Sequence, residues 1–473
     1  VNELVLRIYQ RLPGPMQSVV AGVRGRQLRA WRYSPETDAL VEEALQRERW
    51  SDEQWRLWHE ERLSSLLTRT ATRVPYYREL WAERRRRGDT ASWERLENWP
   101  VLEKDALRAS PESFVADDRV PGSMFHEHTS GTTGKPLDLW FSRETVVRWY
   151  ALVEARWRRW YGVSRHDAWA IFGGQLVTRV GRRRPPFWVW NGALNQLYCS
   201  SYHLAPDLIA HYVSALRHYR VRYIWGYSSS LYALARGMLE SGITGPQLRV
   251  VATNAEPLYA HQRETMESAF GCPVYETYGM SETAAAASQC EAGRLHLWPE
   301  ASIVEVFDGE RPLPRGETGE LVCTGLLNAD MPLIRYRVGD RGSLAGERAG
   351  PCSCGRTLPI LASVEGRTDD VLVTADGRRV GRLDPVFKGN IPLLEAQIVQ
   401  EDIGRLRLRY VPAPGFTDEH ARDIVARIRD RMGDVSVELE PLAAIPRSAN
   451  GKLRAVVNAI PPERRAAAMG DRS

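Results

Sequence analysis

The sequence predicts an α/β protein with a large N-terminal domain, entered through a helical lead-in, and a small C-terminal α+β domain. Three observations carry this. The chain has 473 residues, more than one hydrophobic core usually serves. Its middle alternates helical patterns with short apolar runs that end in glycine or small residues, as at Ala168-Trp169-Ala170-Ile171-Phe172-Gly173-Gly174 and Tyr223-Ile224-Trp225-Gly226-Tyr227. Beyond residue 370 the pattern becomes a compact unit of its own, with a hairpin turn at Asp376-Gly377-Arg378-Arg379, strand patterns at 395–400 and 406–411, and a helix at 417–432.

Composition removes several function classes. Hydrophobic residues make up 43% and charged residues 26%, ordinary for a globular protein. A net charge of +5 does not argue for nucleic acid, and Arg84-Arg85-Arg86-Arg87 and Arg182-Arg183-Arg184 read as solvated faces. Six cysteines are too few for a disulfide scaffold and fit a reducing cytoplasm. No apolar run reaches the ~18 residues of a membrane span, and no signal-peptide pattern is read. The mildly apolar stretch at 12–23, with Pro13 and Pro15, is expected to pack on the body of the protein rather than on a membrane. Oligomeric state is not readable.

In chain order, residues 34–87 read as helices with one buried stripe, through Trp55, Leu57, Trp58, Leu63, Leu66 and Leu67. Val74-Pro75-Tyr76-Tyr77 and Trp99-Pro100-Val101-Leu102 are proline-punctuated turns. They lead to His128-Thr129-Ser130-Gly131-Thr132-Thr133-Gly134-Lys135-Pro136. Small hydroxyl residues, glycines without Cβ atoms and one lysine are what a backbone needs to wrap phosphate oxygens and offer them its N–H groups. Pro136 stands where a P-loop NTPase has a magnesium-binding hydroxyl, so that class is disfavoured. The bland alternative is a polar turn between strands. A strand at 137–141 and a long Trp- and Arg-rich helix at 144–161 follow.

The loop resembles the phosphate-binding signature of adenylate-forming enzymes, the superfamily of acyl-CoA synthetases, peptide-synthetase adenylation domains and luciferases. Later segments, six motifs standing in family order, narrow the resemblance to the phenylacetate-CoA ligase-like branch. It implies a large AMP-binding domain over 1–366, with 1–110 as helical lead-in, and a small mobile domain over 367–473 that pivots at Asp369 or Asp370. It makes Thr129, Ser130, Gly131, Thr132, Thr133, Gly134 and Lys135 the cradle of the ATP phosphates. Phe172, Gly173, Tyr227 and Ser228 fall at the acyl pocket, although Ser228 reads equally as a helix N-cap. Asn254-Ala255-Glu256-Pro257 resembles the Gly-Ala-Glu-Pro turn that brackets adenine, with Asn254 in place of a small residue. In Tyr278-Gly279-Met280-Ser281-Glu282 the aromatic ring stacks on adenine where glycine lets the backbone approach, and the carboxylate holds magnesium. Asp340 accepts bonds from the ribose hydroxyls, Arg367 contacts ribose or α-phosphate, and Lys452, on a glycine turn, reaches into the large domain.

Cys290, His296, Cys352 and Cys354 form a separate constellation: three thiolates and one imidazole complete a four-coordinate structural zinc site. The C-x-C pair is tighter than the usual zinc spacing, and the alternative is buried thiols beside an unrelated histidine. Cys199, Cys272 and Cys323 read as small core hydrophobes.

The implied chemistry is attack of a carboxylate, aromatic by resemblance, on the α-phosphorus of ATP with release of pyrophosphate. Lys135, Lys452 and magnesium on Glu282 offset the charge that accumulates. The acceptor is coenzyme A by resemblance. The segment Val380-Gly381-Arg382-Leu383-Asp384-Pro385-Val386-Phe387-Lys388-Gly389-Asn390 departs from the ligase pattern and looks like relatives from capsule, exopolysaccharide and natural-product pathways, where an amine acceptor is conceivable. A non-catalytic binding protein of the same fold is a further reading, against which both Glu282 and Lys452 stand.

Overall fold

The computed structural model describes residues 8–128, 137–174, 177–179, 181–255, 258, 260–346, 349–365, 372–376, 379–380, 383–387, 391–443, 445–446, 456–461 and 464. The lead-in consists of α1 (Gly14–Arg32), α2 (Thr37–Arg47), α3 (Asp52–Arg73) and α4 (Pro75–Arg86), followed by the short α5 (Lys104–Ala109). Helix α3 starts at a capping box: Ser51 Oγ accepts from the Gln54 N–H at 3.2 Å, and the Gln54 side chain accepts from the Ser51 N–H at 2.9 Å. It stops at Val74 because Pro75 holds the preceding residue extended and opens α4 from its first position. Trp55, Leu66 and Leu67 are buried as expected, whereas Leu57 is 52% exposed and lies off the stripe. The stretch at 12–23 packs on the body with one face only; Met16, Val19, Val20 and Val23 are exposed.

Next come the hairpin β1 (Phe125–His128) and β2 (Asp138–Phe141), paired from Phe125↔Phe141 to His128↔Asp138, and then α6 (Arg143–Leu152). The helix expected at 144–161 continues past α6 with wider π winding over Val153–Arg158 and a tight 3-10 turn over Arg159–Tyr161. The change of winding accompanies charge burial. Arg156 meets Glu300 at 2.7 Å and Arg158 meets Glu154 at 3.1 Å, all four buried.

The main sheet then assembles from β3 (Trp169–Gly173), β4 (Trp188–Asn191), β5 (Gln196–Ser200), β6 (Tyr223–Tyr227), β7 (Val250–Asn254), β8 (Val274–Gly279), β9 (Ala286–Gln289), β10 (Leu295–Leu297), β11 (Ser302–Asp308), β12 (Arg311–Pro312), β13 (Thr318–Gly325), β14 (Tyr336–Leu344) and β15 (Ile360–Glu365). Their order is β12-β11-β13-β14-β15-β10-β9-β8-β7-β6-β3-β5-β4. The run β5-β3-β6-β7-β8 is parallel, with α7 (Ile209–His218), α8 (Ser228–Glu240) and α9 (Ala260–Phe270) among its connections; the remaining pairs are antiparallel. Both faces of the parallel run are buried, so its strands read as near-continuous apolar runs.

The C-terminal part carries the two-residue ladder β16 (Leu372–Val373) with β17 (Arg379–Val380) at the turn the sequence marks. It continues with β18 (Leu393–Asp402), β19 (Arg405–Pro412), α10 (Asp418–Met432), β20 (Ser436–Pro441) and β21 (Val456–Asn458), whose sheet order is β20-β19-β18-β21. Ile424 and Ile428 of α10 pack with Leu406 and Leu408. Tyr202 joins this second core, with the Arg431 guanidinium 5.9 Å above its ring.

Arg335 carries several of the bonds that tie the lead-in to the main sheet. Arg335, just before β14, is 7% exposed. Its guanidinium forks onto Glu305 at 3.0 and 3.1 Å and donates to the carbonyls of Trp99 and Glu97 at 2.9 and 3.1 Å. Its own carbonyl accepts from the Leu102 N–H at 2.9 Å. Arg335→Met leaves Glu305 and two carbonyls without their donors, and is expected to lower the unfolding free energy by roughly 3 kcal/mol, read as a fall in the urea midpoint.

Candidate active site

Parallel pairing brings the carboxyl ends of β3, β6, β7 and β8 side by side. The registers Phe172↔Gly226, Tyr227↔Asn254 and Thr253↔Glu276 place Gly173, Tyr227, Asn254 and the 278–282 turn along one rim of the sheet, where open α/β sheets bind ligands. Glycine is required here by close approach: a Cβ on Gly226 would lie 2.7 Å from the Phe172 carbonyl oxygen, and one on Gly173 would lie 2.8 Å from the Tyr198 hydroxyl. Gly174 is held from the other side, its carbonyl accepting from Tyr202 Oη at 2.8 Å.

Two expected pocket residues sit differently from the sequence reading. Phe172 is fully buried, its ring 5.7 Å from that of Tyr212, because strand alternation turns it into the core beneath the rim. Ser228 is also buried and is the first residue of α8; the N-cap is Tyr227, which corrects the capping reading. Asn254 Oδ1 is buried without a hydrogen-bond partner among the described residues, and Ala255 next to it is exposed at φ 64°.

The 278–282 turn is clasped to β14 by two phenol–carboxylate bonds. Tyr278 Oη donates to Asp340 Oδ2 at 2.8 Å, and Tyr336 Oη donates to Glu282 Oε1 at 3.1 Å. Tyr336 and Asp340 lie four apart on one strand face, so the two stretches run antiparallel to each other, tyrosine facing carboxylate at both ends. Lys104 Nζ stands 3.7 Å from Glu282 Oε1 and 5.6 Å from the Tyr336 ring centroid; the Glu282 side chain is 8% exposed. Tyr278 and Met280 pack on the large core, Gly279 lies against the Trp157 ring and Ser281 is exposed.

Sequence reasoning missed Lys104 and Tyr336. Tyr336 was legible as the same-face partner four residues before Asp340. Lys104 had no local signal, since it is presented by the chain turn that pairs Leu102 with β14.

The residues Thr129, Ser130, Gly131, Thr132, Thr133, Gly134, Lys135, Glu256, Pro257, Arg367, Asp369, Asp370 and Lys452 lie outside the described residues. The hairpin flanking the first of these stretches is tied at its base. His126 Nε2 and His128 Nδ1 both meet Asp138 Oδ1, at 2.9 and 2.7 Å, and the His126 ring stacks on Trp140.

Cys290, His296, Cys352 and Cys354 do come together, with donor atoms all within 4.8 Å of one another. Cys290 Sγ is 3.6 Å from Cys352 Sγ, and Cys354 Sγ is 3.4 Å from His296 Nε2. The Leu358 carbonyl accepts from His296 Nδ1 at 2.9 Å, which leaves Nε2 unprotonated towards the thiols. Burial pushes the Cys290 thiol up to about 12. At Cys354 burial is outweighed by hydrogen bonds from Arg356 and the neighbouring thiols, which hold it below its usual value. The other three cysteines are buried core thiols.

Comparison with known proteins gives a consistent picture. Residues 124–330 match the family described as AMP-binding enzyme, and residues 372–459 match the CapK C-terminal domain. The chain is 28% identical over 473 residues to the phenylacetate-coenzyme A ligase of Thermus thermophilus, covering 90% of this chain and 99% of that protein. It is 23% identical over 461 residues to Protein CapK of Staphylococcus aureus, covering 96% and 99%. In structure it resembles 2-hydroxyisobutyryl-CoA ligase in its complex with 2-HIB-AMP and CoA, at TM-score 0.56 and 21% identity over 87% of this chain and 91% of the other.

The rim depends on the Phe172–Gly226 approach, where the opposing atom is backbone and has no rotamer to yield. Gly226→Ala is therefore expected to cost about 1–3 kcal/mol, seen as a lowered thermal midpoint.

Proposed function

Because the chain belongs to the adenylate-forming superfamily, in its phenylacetate-CoA ligase-like branch, we propose that it activates a carboxylic acid with ATP and passes the acyl group to coenzyme A. The observation that carries this reading is the clasp that gathers Tyr278, Asp340 and Glu282 at the rim. The Tyr278 ring stacks on adenine while its hydroxyl orients Asp340, whose remaining lone pairs accept the two ribose hydroxyls. The open Asn254 Oδ1 accepts from the adenine amino group.

A carboxylate oxygen of the acid attacks the α-phosphorus, an O–P bond forms, and pyrophosphate leaves with the electrons of the α–β bridge. The coenzyme A thiolate then attacks the acyl carbon, forming C–S and breaking C–O to AMP. Glu282, a hard oxygen donor whose Oε1 already meets Tyr336 and Lys104, is the residue that would hold magnesium, which would offset triphosphate charge there. Lys135 and the backbone of 129–134 hold the phosphates, and Lys452 is the charge that the C-terminal domain, 367–473, delivers by turning about Asp369 or Asp370. Gly173, Tyr227 and Ser228 border the acid, with Phe172 as the wall beneath.

An aromatic acid is favoured by the phenylacetate-coenzyme A ligase relatives. Trp188 and Trp190 lend it no weight, since they pack against Tyr212 and Tyr219. Six free thiols fit a reducing, cytoplasmic setting. An amine acceptor is the second reading, suggested by the departure of residues 380–390 from the ligase pattern, in a part of the chain, 372–459, that matches the CapK C-terminal domain.

Acid-dependent exchange of labelled pyrophosphate into ATP tests the first half-reaction. One acid class is expected to support exchange, and Lys452→Ala to reduce it at least about 100-fold. Absence of exchange with every aryl and aliphatic acid, despite ATP binding, would sink the reading. Mass analysis of the product with coenzyme A or amines supplied separately then decides the acceptor.

The Cys290, His296, Cys352 and Cys354 set fits structural zinc: the Cys290–Cys352 and Cys354–His296 spacings lie close to the edges, about 3.5–3.8 Å, of a tetrahedron drawn with ordinary zinc bond lengths, and all four donor atoms lie within 4.8 Å of one another. Metal analysis of the purified protein is expected to find one zinc per chain, and Cys352→Ser to abolish it and lower the melting temperature. Metal-free protein with an unchanged melt after chelation would reject zinc.

A further inference from the structure

Helix α1 has two unlike faces. One covers strand β4: Gln17 and Gly25 are buried, Ser18 Oγ accepts from the Trp190 N–H at 3.3 Å, and Gly25 lies against the Asn191 side chain. At ~100° per residue, Met16, Val19, Val20 and Val23 fall on the opposite arc, itself about 100° wide. They are 52%, 67%, 45% and 51% exposed, and Ile8 just ahead of the helix is 53% exposed. These five account for more than half of the nine exposed large hydrophobics among the described residues. Scattered exposed apolar residues need no explanation, but a contiguous stripe does.

Charge says what the stripe faces. Arg11, Arg24, Arg26 and Arg29 are exposed, and none has an acidic partner among the described residues. On the helical wheel Arg24 and Arg26 flank the stripe on its two sides. No aspartate or glutamate occurs between Glu3 and Glu36, in a chain that carries 59 acidic residues against 64 basic ones. Arg26, Arg29 and Arg32 also line a pocket of about 480 Å³ at the C-terminal end of the helix. A second copy packed on the stripe would bring arginine against arginine. An apolar strip framed by cations that have no acidic partner among the described residues matches an anionic lipid surface, with tails below and phosphates beside it.

We propose that α1 is a membrane-surface element: it lies in the plane of an anionic bilayer, Met16, Val19, Val20 and Val23 entering the headgroup–acyl boundary while the arginines hold lipid phosphates. The enzyme body then stands at the membrane on the β4 side of the sheet. This does not rest on the proposed reaction, and its test needs no activity.

The full chain is sedimented with vesicles of phosphatidylcholine alone or of phosphatidylcholine with phosphatidylglycerol. Binding is expected only to the anionic vesicles and is expected to fall as salt is raised. Val19→Glu with Val23→Glu, and separately Arg24→Gln with Arg26→Gln, should each lower the partition coefficient about 10-fold or more with the thermal melt unchanged, since all four side chains are exposed. Failure to bind anionic vesicles at low salt overturns the proposal, as does equal binding by both variants. A concentration-dependent dimer lost on Val19→Glu would instead assign the face to a second copy.

Discussion

Two tyrosine hydroxyls resting on two carboxylates hold the proposed site of this chain in one place. Tyr278 on Asp340 and Tyr336 on Glu282 bind a turn at the end of the parallel strands to β14, which stands several strands away in sheet order. A bond from a phenol to an ionised carboxylate contributes roughly 1.5–3 kcal/mol. The pair therefore fixes the turn strongly enough for its carboxylates to be aimed before any nucleotide arrives. Strand β14 in turn is placed by Arg335, whose contacts run back to the lead-in through Trp99 and Glu97. Helical entry, sheet and rim form one chain of dependence.

Charge inside the large domain follows a different logic. Arg156 and Glu300 are paired where neither meets water, on a stretch whose winding widens to reach that pairing. Such a pair adds little net stability, because desolvation offsets attraction, yet losing either partner strands the other. It acts as a register pin between the helix after β2 and the start of β11.

Much of this was legible in the sequence because the signals were local. Apolar runs ending in glycine gave β3 and β6, the helical spacing of Trp55, Leu66 and Leu67 gave α3, and the glycine turn near 377 gave the β16–β17 ladder. The clustering of Cys290 with Cys352 and Cys354 was legible from ligand type despite the unusual spacing. What was hidden depended on side-chain direction or on distant contacts. Phe172 falls at the acyl pocket by family resemblance, but the period of two sends its ring into the core. Leu57 joined the predicted stripe by spacing and fell outside it by angle. Lys104 is near Glu282 only because a loop in the lead-in pairs with β14.

The two margins of the main sheet are closed by different means. At one end β12 is only Arg311 and Pro312, and the proline ring leaves no N–H to offer. At the other, β4 presents Trp188-Val189-Trp190-Asn191, a hydrophobic strand suited to pairing with a foreign backbone, and α1 lies across it with Ser18 meeting the Trp190 N–H. The lead-in helix is thus a guard against edge-to-edge stacking. A shortened form lacking residues 1–32 would keep every residue of the proposed catalytic rim and still be drawn towards ordered aggregates by an uncovered tryptophan-rich edge.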